Sequence, residues 1–160
     1  MFKIELYKKN LNIGHITFSY DNNNIVILSL DNRNQTVEKI LIINLLKFII
    51  TNIDDAYFTK KISVDDCSIH SLTKKSVYYK MGFRILNKRH LEIMRIDFLK
   101  PMKKRVRNQF TYNDNYASII HFKTIIEYYK YLINKNKNLS KINSFKYYKL
   151  NDTTSEFEII

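Results

Sequence analysis

The side chains able to do nucleophilic or metal chemistry in this chain are a single cysteine and four histidines. Asp65-Asp66-Cys67 stands three residues ahead of His70, which would put a thiol near a base. The same residues cap helices well, so a loop leading into a helix is the commoner explanation. His15, His70, His90 and His121 match neither a Cys-x-x-Cys pair nor a His-x-x-x-His pair, and His15 and His90 fall in strand-like stretches, so no metal site is expected. A glycine-rich phosphate loop is absent, which removes nucleotide hydrolysis. The remaining chemical signal is charge: Lys100 to Arg107 is dominated by Lys and Arg and is followed by Phe110, Tyr112 and Tyr116. Such a run suits a solvated linker, a nuclear-import peptide or an arm that meets phosphates and stacks on single-stranded bases.

Those residues must be positioned by a chain of 160 residues with 45% hydrophobic content, enough for one cored domain with an appendage. One cysteine permits no intrachain disulfide, so an intracellular, reducing compartment is expected, cytoplasmic or nuclear. The first residues, Met1-Phe2-Lys3-Ile4-Glu5, hold no signal-peptide core. Ile40 to Ile50 is the longest apolar run, and it is broken by Asn44 and Lys47 and falls short of the ~20 residues that span a bilayer, so no membrane association is expected. The net charge of +12 attracts acidic or phosphate-rich partners, although the abundance of Asn, Ile, Lys and Tyr is also what an AT-rich genome produces.

Phe2 to Lys8 alternates in the manner of a half-buried strand, as does Ile13 to Tyr20, with turns at Asn10-Leu11-Asn12 and Asp21-Asn22-Asn23-Asn24. Ile25 to Leu30 is apolar on both faces and reads as a central strand, which makes an antiparallel meander of three. Val37 to Thr51 reads as a helix with a wide buried face and a polar stripe at Asn44, Lys47 and Thr51. A strand from Ala56 to Val64, a loop at Asp65 to Ser68, a helix from Ser71 to Met81 stopped by Gly82, and strands at Phe83 to Ile85 and Leu91 to Phe98 follow. The expected class is therefore α+β with the order β-β-β-α-β-α-β-β over residues 1–99. Residues 100–160 are expected to be a basic linker and a helical extension, with a helix from Asn115 to Asn134 packing back on the domain, a short strand at Phe145 to Leu150 and a loose tail from Asn151.

Gly14-His15-Ile16 in a strand, the strand-loop-helix from Leu28 to Phe48, and Tyr78-Tyr79-Lys80-Met81-Gly82-Phe83 together resemble the GCN5-related N-acetyltransferase superfamily over about Phe2 to Phe98. The resemblance implies acetyl-CoA held where two parallel central strands part, with its pyrophosphate on N–H groups at the start of the following helix. It carries cofactor contacts to Leu28, Leu30, Gln35, Thr36, Val37, Glu38 and Ser71, and the role of general acid toward the CoA thiolate to Tyr78, whose phenol holds its proton near neutral pH. A general base acting on an amine acceptor would come from Glu5, His15, Asp31 or His70. The chain departs from the family in lacking its first strand and two helices, and in placing Glu38 and Ile40 where members carry small loop residues. A second reading follows from that departure: a GNAT-fold module without catalysis that binds nucleic acid or an acidic protein through Lys100 to Arg107.

Overall fold

The computed structural model describes residues 1–21, 24–31, 34–53, 61–66, 73–85, 108–113, 125–139 and 143–160. The strands within them are β1 (Phe2–Lys8), β2 (Leu11–Asp21), β3 (Asn24–Asp31), β4 (Lys61–Asp66), β5 (Arg84–Ile85), β6 (Asn108–Asn113), β7 (Ser144–Asn151) and β8 (Glu156–Ile159). The helices are α1 (Gln35–Asn52), α2 (Val77–Lys80) and α3 (Ile125–Lys135). All eight strands join one mixed sheet in the order β5-β6-β4-β3-β2-β1-β7-β8, an α+β architecture.

The meander forms as the alternation requires, because Ile4 and Leu6 of β1, Ile16 and Phe18 of β2, and Ile25 and Ile27 of β3 all turn to one buried face. Lys9 and Asn10, with φ of 51° and 62°, join β1 to β2, the backbone of a tight hairpin that falls one residue earlier than the expected turn. β3 is central, but only one of its apolar faces is covered: Val26 and Leu28 are exposed. Alternation puts Val26 opposite the buried Ile25 and Ile27. Thr17 pairs with Ser29 and Phe18 with Ile27, so Leu28 is an extra residue that bulges the strand.

α1 covers the apolar face with Leu41, Ile42, Leu45, Leu46 and Ile49. Asn34 caps it, its side chain accepting from the Thr36 N–H at 2.8 Å. The expected polar stripe is corrected at one position. Lys47 and Thr51 are exposed, whereas Asn44 is buried and donates to the Tyr147 hydroxyl at 3.0 Å.

The helix expected from Ser71 to Met81 shrinks to the single turn of α2, because Thr73 to Ser76 forms a turn closed by Ser76 N–H on the Thr73 carbonyl at 3.2 Å. Its end is a Schellman motif. Phe83 N–H donates to the Tyr78 carbonyl at 2.9 Å and Gly82 N–H to that of Tyr79 at 3.1 Å. Gly82 takes φ of 95°, which a side chain would obstruct.

The last sixty residues differ most from expectation. The short strand expected at Phe145 to Leu150 forms as β7, but it joins β1 and continues into β8 where a loose tail was expected, and β6, which was not expected, lies between β5 and β4. The tail is ordered because Asn151 turns it back, its side chain accepting from the N–H groups of Thr153 at 2.9 Å and Thr154 at 3.2 Å. The α3 helix occupies the later part of the stretch expected to be helical and packs on α1 through a core that includes Ile125, Tyr128 and Leu132. Its Tyr128 hydroxyl donates to the Met81 carbonyl at 2.6 Å, fastening it to the end of α2. Strand β4 takes in Asp65 and Asp66 beyond the expected end, and the stretch expected to open it from Ala56 lies outside the described residues. The strand expected at Leu91 to Phe98, the basic run Lys100 to Arg107, and Tyr116 lie outside the described residues.

Candidate functional site

The β3–β4 pair is the one parallel ladder among the described residues, and it is short. Asn24 to Ile27 pair with Lys61 to Val64. Beyond that point β3 stays paired with β2 as far as Asp31, and β4 with β6 as far as Asp66, but the two no longer pair with each other. Among the described residues no strand pairs with the facing edges beyond that point, in the place where sheets with parallel strands commonly bind ligands. Leu28, with its bulge, and the half-buried Leu30 lie on this unpaired stretch of β3.

Three residues after β3 the chain enters α1, whose first turn carries unpaired N–H groups and the positive end of the helix dipole. The Thr36 N–H meets the Asn34 side chain and the Glu38 N–H meets the Asn34 carbonyl at 3.1 Å. Those of Gln35 and Val37 remain to meet an anion. Gln35 also ties this turn to the α2 segment: its side chain donates to the Lys75 carbonyl at 2.6 Å and accepts from the Lys80 ammonium. A second ammonium, that of Lys135 on α3, donates to the Lys80 carbonyl at 3.4 Å. Of the two, Lys80 stands by the start of α1, while Glu38 in the same turn opposes an anion. Neither lysine was singled out by sequence reasoning. Lys80 sits within the motif that was quoted, but its approach to Gln35 depends on a contact 45 residues apart in sequence.

Tyr78 lies in α2, buried, with its ring edge-on to Phe83 at 5.7 Å between centroids. That contact is the apolar partner of the Schellman hydrogen bond between the same two residues. The Gln35 link brings the α2 turn, and Tyr78 with it, beside the start of α1. Ser71, Cys67, His70, His90 and His121 lie outside the described residues. Among the described residues no group of three His, Cys, Asp or Glu side chains could hold a metal ion, and no helix is long and apolar enough to cross a membrane.

Three of the four candidate bases fall in one row across the sheet, because Glu5 pairs with His15 and His15 with Asp31. The His15 Nδ1 is 3.9 Å from the Asp31 carboxylate, at the end of β3. Glu5 is otherwise engaged. Burial disfavours its charge, but hydrogen bonds from Tyr7, Lys3 and Tyr148 and the Lys3 charge at 2.9 Å hold its carboxyl below the ordinary value. The same pairing pushes the Tyr7 phenol up to about 12, chiefly through its hydrogen bond to Glu5. A carboxylate so stabilised is a poor base, which leaves His15 and Asp31 as the candidate bases among the described residues.

No family model, curated protein or solved structure matches the chain.

Proposed function

We infer that the protein transfers an acetyl group from acetyl-CoA to an amine. The observation that carries the reading is the early end of the β3–β4 ladder directly before the α1 N-terminus, with Lys80 held at that terminus by Gln35. An extended thioester ligand needs a slot between strands for its amide-bearing arm and fixed positive potential for its phosphates, and both requirements meet here. Gln35 and Val37 N–H groups with Lys80 would hold the pyrophosphate, and Leu28 and Leu30 would flank the arm. Acetyl-CoA supplies an activated acyl group when bound. His15, oriented by Asp31, takes a proton from the acceptor ammonium so that the amine can attack, and Tyr78 gives its phenolic proton to the departing thiolate. Fixed donors and proximity supply most of the rate.

Calorimetry with acetyl-CoA tests the reading. Binding at micromolar Kd, accompanied by a rise in Tm and weakened at least tenfold by Lys80→Glu, is the expected result. Absence of both heat and thermal stabilisation at millimolar ligand would overturn it and favour the binding module that acts through the basic surface. The acceptor is an amine, and a screen of free amines, amino acids and peptides in the presence of acetyl-CoA identifies its class.

A further inference from the structure

β8 pairs with β7 on one side, from Tyr148 against Ile159 to Asn151 against Glu156, and among the described residues no strand lies on its other side. The register fixes which backbone groups that open side presents. The Ile160 N–H donates to the Tyr147 carbonyl at 3.0 Å, so the hydrogen-bonded positions toward β7 recur at Glu158 and Glu156, and the N–H and carbonyl groups of Phe157 and Ile159 point the opposite way. The same alternation turns Leu150 of β7 toward β1, where its N–H donates to the Met1 carbonyl at 2.9 Å. An outward row of backbone donors and acceptors is the template to which an extended segment adds.

The side chains select the segment. Glu156 and Glu158 are exposed on one face of the strand, and neither forms an ion pair among the described residues, although Lys149 stands across from Glu158 on β7. The Asn151 amide donates to Glu158 at 2.8 Å and leaves its charge uncompensated. On the other face lie the half-buried Phe157 and Ile159, the latter 73% exposed, and there the Lys3 ammonium already stands 4.9 Å from the Phe157 ring. In paired strands, side chains directly across from one another share a face at about 5 Å. An added strand therefore meets a carboxylate with every second residue, and an apolar surface beside a cation with the residues between. Lysine or arginine suits the first positions and an aliphatic side chain the second. A second copy of β8 suits neither, because with Phe157 against Ile159 across a two-fold axis Glu158 faces its own counterpart, and like charges directly opposite are destabilising.

We propose that β8 docks an extended peptide in which lysine or arginine alternates with aliphatic residues, its basic side chains on Glu156 and Glu158 and its main chain on the outward groups of Phe157 and Ile159. The net charge of +12 opposes a cationic peptide at long range, but at physiological salt that field is screened beyond about 8 Å, whereas the two glutamates stand directly across from the incoming side chains. The site is independent of the acetyl-transfer reading and shares no residue with it.

Titration calorimetry on the full chain in about 0.15 M salt decides the matter. The probes are end-blocked pentapeptides: valine alternating with lysine, valine alternating with glutamate, and the first composition rearranged so that its lysines are adjacent. The alternating lysine peptide is expected to bind with a Kd of about 100 µM or tighter, and the other two at least about tenfold more weakly. Ile159→Pro removes an outward N–H that β7 does not use, so it should keep a cooperative thermal transition while weakening the lysine peptide at least about tenfold. Glu156→Lys combined with Glu158→Lys should reverse the preference, the glutamate peptide then binding more tightly than the lysine peptide. No binding of the lysine peptide at about 1 mM by the unaltered protein, equal affinity for all the probes, undiminished affinity in folded Ile159→Pro, or an unreversed preference in the charge variant would overturn the proposal. So would a dimer of the unaltered protein that Ile159→Pro dissolves, since the edge would then belong to a second copy.

Discussion

Tyr78 shows how one side chain can carry two roles that different measurements separate. Its carbonyl and ring complete the Schellman motif with Phe83, and neither contribution uses the phenolic oxygen. Tyr78→Phe keeps both, so it should retain a cooperative thermal transition, yet lower kcat for acetyl transfer by at least about 10²-fold, the usual loss on removing a proton donor. Gly82→Ala is the reverse case. With φ of 95° the new methyl costs about 1–2 kcal/mol and should lower Tm by about 3–6 °C, read by thermal denaturation. At Glu5 the pH profile is the readout. Its folded-state pKa is depressed, so its contribution to stability is complete above the pKa of the unfolded carboxyl, about 4.3, and is lost as pH falls through the lower folded value. Glu5→Gln should flatten the fall in Tm on acidification below about pH 4.5. Of the candidate site, the sequence made Tyr78, Gln35 and the alternative bases visible, because a motif spacing or a residue type names them. It concealed the part played by Lys80, since its approach to Gln35 exists only through a pairing 45 residues apart.

Elements were legible where a period and a punctuation residue agreed. β1 and β2 alternate, β3 is apolar on both faces, all three lie between turns rich in asparagine, and Gly82 marks the end of α2. Asn44 misled because polarity in an apolar helical run was read as exposure, when the side chain bonds inward to Tyr147. The tail misled for a related reason: Asp152-Thr153-Thr154 resembles a frayed end, but Asn151 organises it as the turn of a hairpin. β6 was missed because Asn108, Gln109, Thr111 and Asn113 dilute its aromatic residues, and a strand placed inside a sheet can draw its stability from both neighbours. The β1–β2 hairpin yields a test at this scale. Lys9 and Asn10 both hold positive φ, so replacing the pair with Asn-Gly should stabilise the protein by about 1 kcal/mol and raise Tm by about 2–4 °C.

The molecule as a whole is built from the middle outward. β1 to β4 occupy the centre of the sheet, and the later strands are added on both sides, β6 and β5 beyond β4, and β7 and β8 beyond β1. α3 closes the arrangement from the helical side by the bond between Tyr128 and the Met81 carbonyl. A chain ended after Phe98 would lose β6, β7, β8 and α3, and should show no cooperative thermal transition by circular dichroism, whereas the full chain should. The β1–β7 ladder, Phe2 against Lys149 through Tyr7 against Ser144, also has a consequence during synthesis. During synthesis β1 has one edge paired early by β2, but its other edge waits for a partner more than 130 residues downstream. Throughout that interval the nascent chain carries an open strand edge, the form of backbone most readily captured by a second chain. The yield of soluble protein should thus depend on the speed of translation and on chaperones that shield extended segments.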